Sequence, residues 1–257
     1  MNLFREAFAW LFAPEQQVGA DAVLVRLGEH LLYTAIAVVI SAVIAIPIGY
    51  WIGHTGRGKQ VAVACSGAAR ALPSLGLLTI LTLLVGVGDA VLAATVVFVV
   101  LGVPAVLAGA YAGVESVDPD VVDAARAMGM TEWQILLRVE APIGLGLLLG
   151  GLRSATLQIV ATAVLAAYVG LGGLGIYIIR GIAIRAYEQM LGGALVIVVL
   201  ALVLDGVFAL ATWLITRARR TPVRPGDLGG PGPAETAAGT AQDQTSRSPA
   251  AATEGSS

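Results

Sequence analysis

Several stretches of this 257-residue chain carry residue types that could do chemistry. Gly53-x-x-x-x-Gly58-Lys59 has the glycines and the lysine of a loop that cradles nucleotide phosphates. Gln60 stands where a Ser or Thr hydroxyl must ligand magnesium, and an apolar run of helical length leads in where a sheet strand should. The stretch reads as a short loop with retained positive charge, so any ATP chemistry belongs to a partner. Gly170-Leu171-Gly172-Gly173-Leu174-Gly175 fits G-x-G-x-x-G, but the dinucleotide reading needs a soluble βαβ unit. Here the glycines close an uncharged run that begins after Arg153, where they would let backbone bend and pack closely. His30 and His54, far apart and read as lying at helix ends, and Cys65 inside an apolar run assemble neither a nucleophilic set nor a metal site. The chain is expected to be no enzyme on its own and to hold no metal or cofactor.

Polar side chains that interrupt apolar runs are the other chemical signal. Ser154, Gln158 and Thr162 recur at i, i+4 and i+8, so they share one helix face, with Thr156 off it. Such a stripe serves either a translocation path or hydrogen bonding between helices. Arg70, Arg153 and Asp205 are the charges deep within apolar runs. At 1.5 Å per helical residue, Arg70 lies roughly 16 Å beyond Lys59 and Arg153 roughly 16 Å beyond Pro142, with Asp205 roughly 18 Å before Arg217. An unpaired charge at the centre of a bilayer costs at least ~2.5–3.5 kcal/mol, which leads us to expect Asp205 to pair with Arg153 or Arg70. The alternative is an arginine that snorkels to the inner surface.

The elements that must position these groups are membrane spans. The chain is 57% hydrophobic and 12% charged, against about 25% charged in soluble domains. Its net charge of −2 argues against a nucleic-acid partner. Residues 1–28 read as a lead-in, with Phe4, Phe8, Leu11 and Phe12 on one face of an interfacial helix that Pro14 ends. Five spans follow: 31–52, 60–88, 90–114, 142–168 and 190–216. Pro47, Pro73 and Pro104 fall within spans, as hinges or as ordinary membrane-helix prolines. Residues 218–257 turn to Pro, Gly, Ala, Ser and Thr and are expected to be a disordered tail. The fold class is an all-α membrane protein, with its transmembrane domain over 29–217.

One polar island, 117–142, separates the third span from the fourth. Asp118-Pro119 is an N-cap followed by a first helical residue, and Gly129 is a C-terminal stop. Val117, Val121, Ala124, Ala125 and Met128 are read as one face of that helix. Thr131 with Gln134 forms a capping box that opens a second short helix, and Pro142 starts the next element. The island should be a helix–turn–helix that presents Met128, Met130 and Thr131 at its turn. A DNA-binding hairpin is disfavoured, since Arg126 and Arg138 are its only basic residues.

Asp123-Ala124-Ala125, Gly129 and Val139-x-Ala141-Pro142 resemble the Glu-Ala-Ala (EAA) loop of ABC-importer permeases. That pattern is Glu-Ala-Ala, three residues, Gly, nine residues and Ile-x-Leu-Pro. Asp123, Val139 and Ala141 depart from it in type while its spacing is kept. The stretch from Ala167 to Asp205 and Leu72-Pro73-Ser74-Leu75 are similar to the branch that carries glycine betaine, carnitine and choline; methionine permeases share the glycine segment. The resemblance implies a five-helix type I importer core whose loop docks on an ATPase, the coupling falling on Asp123, Ala124, Ala125, Gly129 and Pro142. It implies as partners ABC ATPase subunits bearing ATP and magnesium, an identical or homologous second permease, an extracytoplasmic substrate-binding protein and membrane lipid. Pro73, Ser74, Gly172 and Gly173, on the resembling segments, join Ser154, Gln158 and Thr162 as the expected path.

With the island inside a bacterial plasma membrane, the Arg57/Lys59 loop and Arg217 to Arg220 are also inside, and the N-terminus is outside. The rivals are an ATP-independent channel or carrier, for which Asp205 alone is thin support, and a membrane adaptor, against which the polar stripe counts.

Overall fold

The computed structural model describes residues 2–219. Met1–Thr216 form one compact unit and Arg217–Ser257 a second. The tail expected over 218–257 lies, from 220 onward, outside the described residues. Among those described, every regular element is helical. A short helix, α1 (Leu3–Leu11), precedes α2 (Val23–Thr55). Two short helices, α3 (Lys59–Ala71) and α4 (Ser74–Val85), lead to α5 (Ala90–Glu115). The island holds α6 (Pro119–Ala127) and α7 (Glu132–Ile135), and then come α8 (Ala141–Ala163), α9 (Gly175–Ile184) and α10 (Tyr187–Arg219).

Packing is built on α2, α5 and α8, brought close by small residues. Gly49 and Gly53 of α2, four apart, face α5: a Cβ on Gly49 would lie 2.5 Å from the Ala110 Cβ, and one on Gly53 2.7 Å from that of Val114. Gly109 and Gly113 repeat the spacing on α5 toward α8, where a Cβ on Gly113 would lie 2.7 Å from the Gly144 carbonyl oxygen. One on Gly151 of α8 would lie 2.8 Å from the Ala105 oxygen. Without a hydrophobic drive between helices in lipid, association depends on such close backbone approach. The matching order of residues makes α5 parallel to α2 and antiparallel to α8. Phe98, Val97, Leu78 and Ile159 fill one buried cluster between these helices; Val106, Ala110 and Leu148 fill another.

The second span, expected to be continuous over 60–88, is two helices bent by 85°. Pro73 has no N–H for a helical hydrogen bond and biases the residue before it away from the α region, and Leu72 accordingly adopts φ −69°, ψ 131°. The bent pair is nonetheless one crossing. Lys59 Nζ donates to Glu115 Oε1 at 2.5 Å, which fixes the start of α3 beside the finish of α5; α4 leads through Asp89 into the start of α5. With four long apolar helices, α3 and α4 thus make the fifth span.

Other boundaries shift for local reasons. The first span begins at Val23 rather than Leu31, because Arg26 and Glu29 pair on the helix surface at 2.8 Å and need not be excluded from it. The fourth span begins within the island: α7 continues through a π-helical turn at Leu136–Glu140 into α8, giving a single apolar helix over Glu132–Val169. Pro142, whose missing N–H disrupts the regular ladder, sits just beyond that turn. The near-P-loop is the last turn of α2 and its cap, with Gly56 left-handed at φ 68°.

His54, Lys59, Glu115 and Glu132 gather at one end of the bundle. Asp21, Arg26, Glu29 and Arg180 gather at the other, where Trp10 of α1 meets Tyr177 of α9 edge-on at 5.2 Å. Phe4, Phe8 and Phe12 remain exposed on α1.

Candidate functional site

The island folds as a capped hairpin with a small core of its own. The Asp118 carboxylate accepts the Asp120 N–H at 2.9 Å, with Pro119 at the first helical position. At the turn, Met130 N–H donates to the Ala125 carbonyl and Gly129 N–H to that of Arg126, a Schellman ending. It requires Gly129 to be left-handed, and its φ is +81°. Thr131 and Gln134 then cap each other reciprocally, through Thr131 N–H to Gln134 Oε1 at 2.9 Å and Gln134 N–H to Thr131 Oγ1 at 3.4 Å.

The buried face differs from the one read in sequence. Val117, Val122, Ala125 and Ile135 form the hairpin core, with Met130 and Val139 packed on it. Val121, Ala124 and Met128 lie outward, because the second arm covers the Val122 side of α6. Met130 is therefore half-buried and not a turn-tip residue, whereas Met128 is 75% exposed and Trp133 72%. Asp123, Gly129, Thr131 and Pro142 are also exposed.

A line of alternating charges runs through the hairpin. Arg126 donates to Asp123 Oδ1 at 2.9 Å and to both carboxylate oxygens of Glu132, at 2.9 and 3.1 Å. Those two carboxylates, Glu132 foremost, hold the Arg126 guanidinium still further above its usual range. His54, on the last turn of α2, has Nε2 3.0 Å from Glu132 Oε2 and Nδ1 2.6 Å from Glu140 Oε2. Glu140 is 4% exposed. Sequence reasoning missed Arg126, Glu132, His54 and Glu140 as a set; the one available signal was two acids and a histidine near span ends. His30, read as lying at a helix end, is fully buried within α2, with Nε2 3.1 Å from the Val160 carbonyl oxygen of α8.

The other candidate residues occupy three separate places. Ser154 and Gln158 are exposed and Thr162 half-buried, while Thr156 on the opposite side of α8 is buried. Pro73 is exposed and Ser74 half-buried at the α3–α4 bend. Gly172 and Gly173 are buried against the N-terminal part of α2, where Gly173 N–H donates to Glu29 Oε2 at 2.9 Å and a Cβ on Gly172 would strike the Arg26 guanidinium. Arg153 meets Asp205 through two hydrogen bonds of 2.5 and 2.6 Å. Arg70 is exposed on α3, outside that pair.

Residues 45–220 match the family model described as binding-protein-dependent transport system inner membrane component. The chain is 30% identical over 200 residues to the glycine betaine/carnitine/choline transport system permease protein OpuCB of Bacillus subtilis, covering 78% of this chain and 91% of that one. It is 36% identical over 196 residues to the osmoprotectant import permease protein OsmW of Salmonella typhimurium, covering 74% and 86%. Against an inward-facing structure of the MetNI methionine ABC transporter the TM-score is 0.65 at 22% identity, over 75% of this chain and 96% of that one.

Proposed function

The chain belongs to the family of binding-protein-dependent transport system inner membrane components, the multi-pass permease subunits of ABC importers, and from that premise we propose that its cargo is a small quaternary-ammonium osmoprotectant. Glycine betaine, carnitine and choline are the candidates, and the permease names of relatives matched over three quarters of the chain carry that reading. The chain is a transport subunit; ATP hydrolysis falls to a separate subunit of the importer. The identity of its partners is part of the proposal: two ATPase subunits, a second permease and an external binding protein that selects the solute. The likeness to the methionine transporter, at 22% identity, bears on the fold alone.

In this reading the hairpin over 117–142 docks on the ATPase from inside. What supports it is a capped, self-supporting hairpin whose outer surface is Val121, Ala124, Met128 and Trp133 with Asp123 among them. The exposed stripe of Ser154 and Gln158 would face a shared path, since polar groups in a span face protein or water rather than lipid. The N-terminus is taken as outside and the C-terminus as cytoplasmic, in keeping with Arg57, Lys59, Arg217, Arg219 and Arg220 on the inner side.

The test is purification of the tagged chain from its own membranes, followed by reconstitution with whatever accompanies it. ATP-dependent accumulation of labelled glycine betaine, choline or carnitine, with an ATPase present for wild type and lost on altering Asp123 and Gly129, is the expected result. Accumulation of methionine alone would overturn the substrate. A homo-oligomer without ATPase, passing solute without ATP, would overturn the importer mechanism.

A further inference from the structure

The hairpin connects to α2 through polar contacts beside a cavity. Between them lies a cavity of about 520 Å³, walled by Ile46, Pro47, Tyr50 and Trp51 of α2 on one side and by Trp133 and Leu137 of the second arm on the other. Across this gap the apolar surfaces do not interdigitate. His54 and Glu132, at its edge, do meet. Two carboxylates flank one imidazole, one at each ring nitrogen, and a carboxylate only accepts hydrogen bonds.

We infer that Asp123, Arg126, Glu132, His54 and Glu140 form a relay of polar contacts that transmits movement of the hairpin to α2. This rests on the reading of 117–142 as the ATPase-docking element. Arg126 locks α6 to α7 by holding Asp123 and Glu132 together. Glu132 passes that connection to His54 at the end of α2, and His54 closes it on Glu140, immediately before α8. Along the line Arg126 lies between the carboxyl groups of Asp123 and Glu132, and His54 between those of Glu132 and Glu140. Pro47 lies two helical turns before His54, where an interrupted hydrogen-bond ladder lets the final turns of α2 swing. The cavity supplies the room in which they do so. A pull on Asp123 is thus delivered to α2 and α8 together. His54 is a positioning residue that acts through Glu132 and Glu140.

The test uses the complete reconstituted transporter and reads three quantities: ATPase subunit retained, ATP hydrolysed, and solute accumulated per ATP. His54→Ala and Glu132→Gln should each retain the ATPase and its hydrolysis while accumulation per ATP falls at least tenfold. Glu132 is exposed, so its variant avoids the folding risk of a change beside buried Glu140. In a Cys65→Ser background, cysteines at 54 and 132 joined by a short bifunctional thiol reagent should restore accumulation per ATP. Unchanged accumulation per ATP in both single variants would overturn the relay, and so would failure of the cross-link to restore it. If wild type retains no ATPase, the docking reading falls and the relay with it, a result separable from the others because it appears before any substitution is made.

Discussion

Consider replacing single glycines of α8 by alanine. Away from contacts, Gly→Ala in a helix removes backbone freedom from the unfolded chain and adds ~0.5–1 kcal/mol of stability. Gly146 is the clean case, since a Cβ there meets nothing within 4 Å. At Gly151 the added Cβ would sit 2.8 Å from the Ala105 carbonyl oxygen and 2.9 Å from the Gly109 Cα, where ordinary contact begins at 3.4 Å. Those neighbours are backbone and cannot rotate aside, so α5 and α8 must part by roughly half an ångström or the new methyl must remain overpacked. Overpacking costs ~1–3 kcal/mol, more than the propensity gain, so the sign reverses. Gly144, against the Gly113 backbone, is tighter still. For a chain of this length 1 kcal/mol corresponds to about 2–4 °C in Tm. In detergent or nanodiscs, Gly146→Ala should hold or raise the melting temperature by up to ~4 °C. Gly144→Ala and Gly151→Ala should lower it, by up to ~8 °C, against that control. Equal shifts at 144, 146 and 151 would show that glycine contact does not set the α5–α8 spacing.

Other outcomes follow from the same geometry. Asp205→Asn should lower Tm by leaving Arg153 unpaired within the membrane, and adding Arg153→Gln should recover most of the loss; a double variant no better than the two single losses combined would dismiss the pair. Gly129→Leu forces a branched side chain into φ +81°, and should abolish solute accumulation and ATPase retention while leaving the membrane part folded, read by co-purification and by melting of the isolated chain. Gly172→Ala should destabilise through both its left-handed φ of +81° and its approach to Arg26 and Glu29, whereas Gly170→Ala, with open space and φ +82°, suffers the conformational cost alone. Arg26 first and Arg180 second hold the Asp21 carboxyl below its ordinary value of 3.8. The stability this lends is present above that value and lost as pH falls through the lower folded one, so the Tm gap between wild type and Asp21→Asn should close on acidification below about pH 4.

What sequence could reveal followed the reach of each signal. Asp118-Pro119, Gly129 and the Thr131/Gln134 box are local codes, and the hairpin termini stand where those residues put them. Uncharged runs located the spans, although Arg26 and Glu29 hid the start of α2 by pairing with each other. Periodicity misjudged the buried face of α6, because Val121 and Val122 are equally apolar and only the second arm decides which one is covered. His54 and Glu140 are 86 residues apart, and no periodic pattern spans that interval. The glycine pairs at 49/53 and 109/113 went unread, although small residues four apart in an apolar run mark close helix approach. Pro73 was noted as a possible hinge, yet the size of its bend depends on what α4 packs against, Leu78 being fully buried among α2, α5 and α8 residues.

That bend bears on how the protein is made. By helical rise, the 13 residues of α3 extend about 20 Å and the 12 of α4 about 18 Å, each too short for a hydrocarbon core of about 30 Å. Neither can be threaded into the bilayer as an independent span, so the insertion machinery must accept 59–85 as one topological unit. If the two halves folded back to the same face, the number of crossings would change from odd to even. Every later helix would then enter with inverted polarity, and the hairpin over 117–142 would emerge on the opposite face. Proper biogenesis of this chain therefore hinges on a proline-bent segment far from both the hairpin and the charges that flank it.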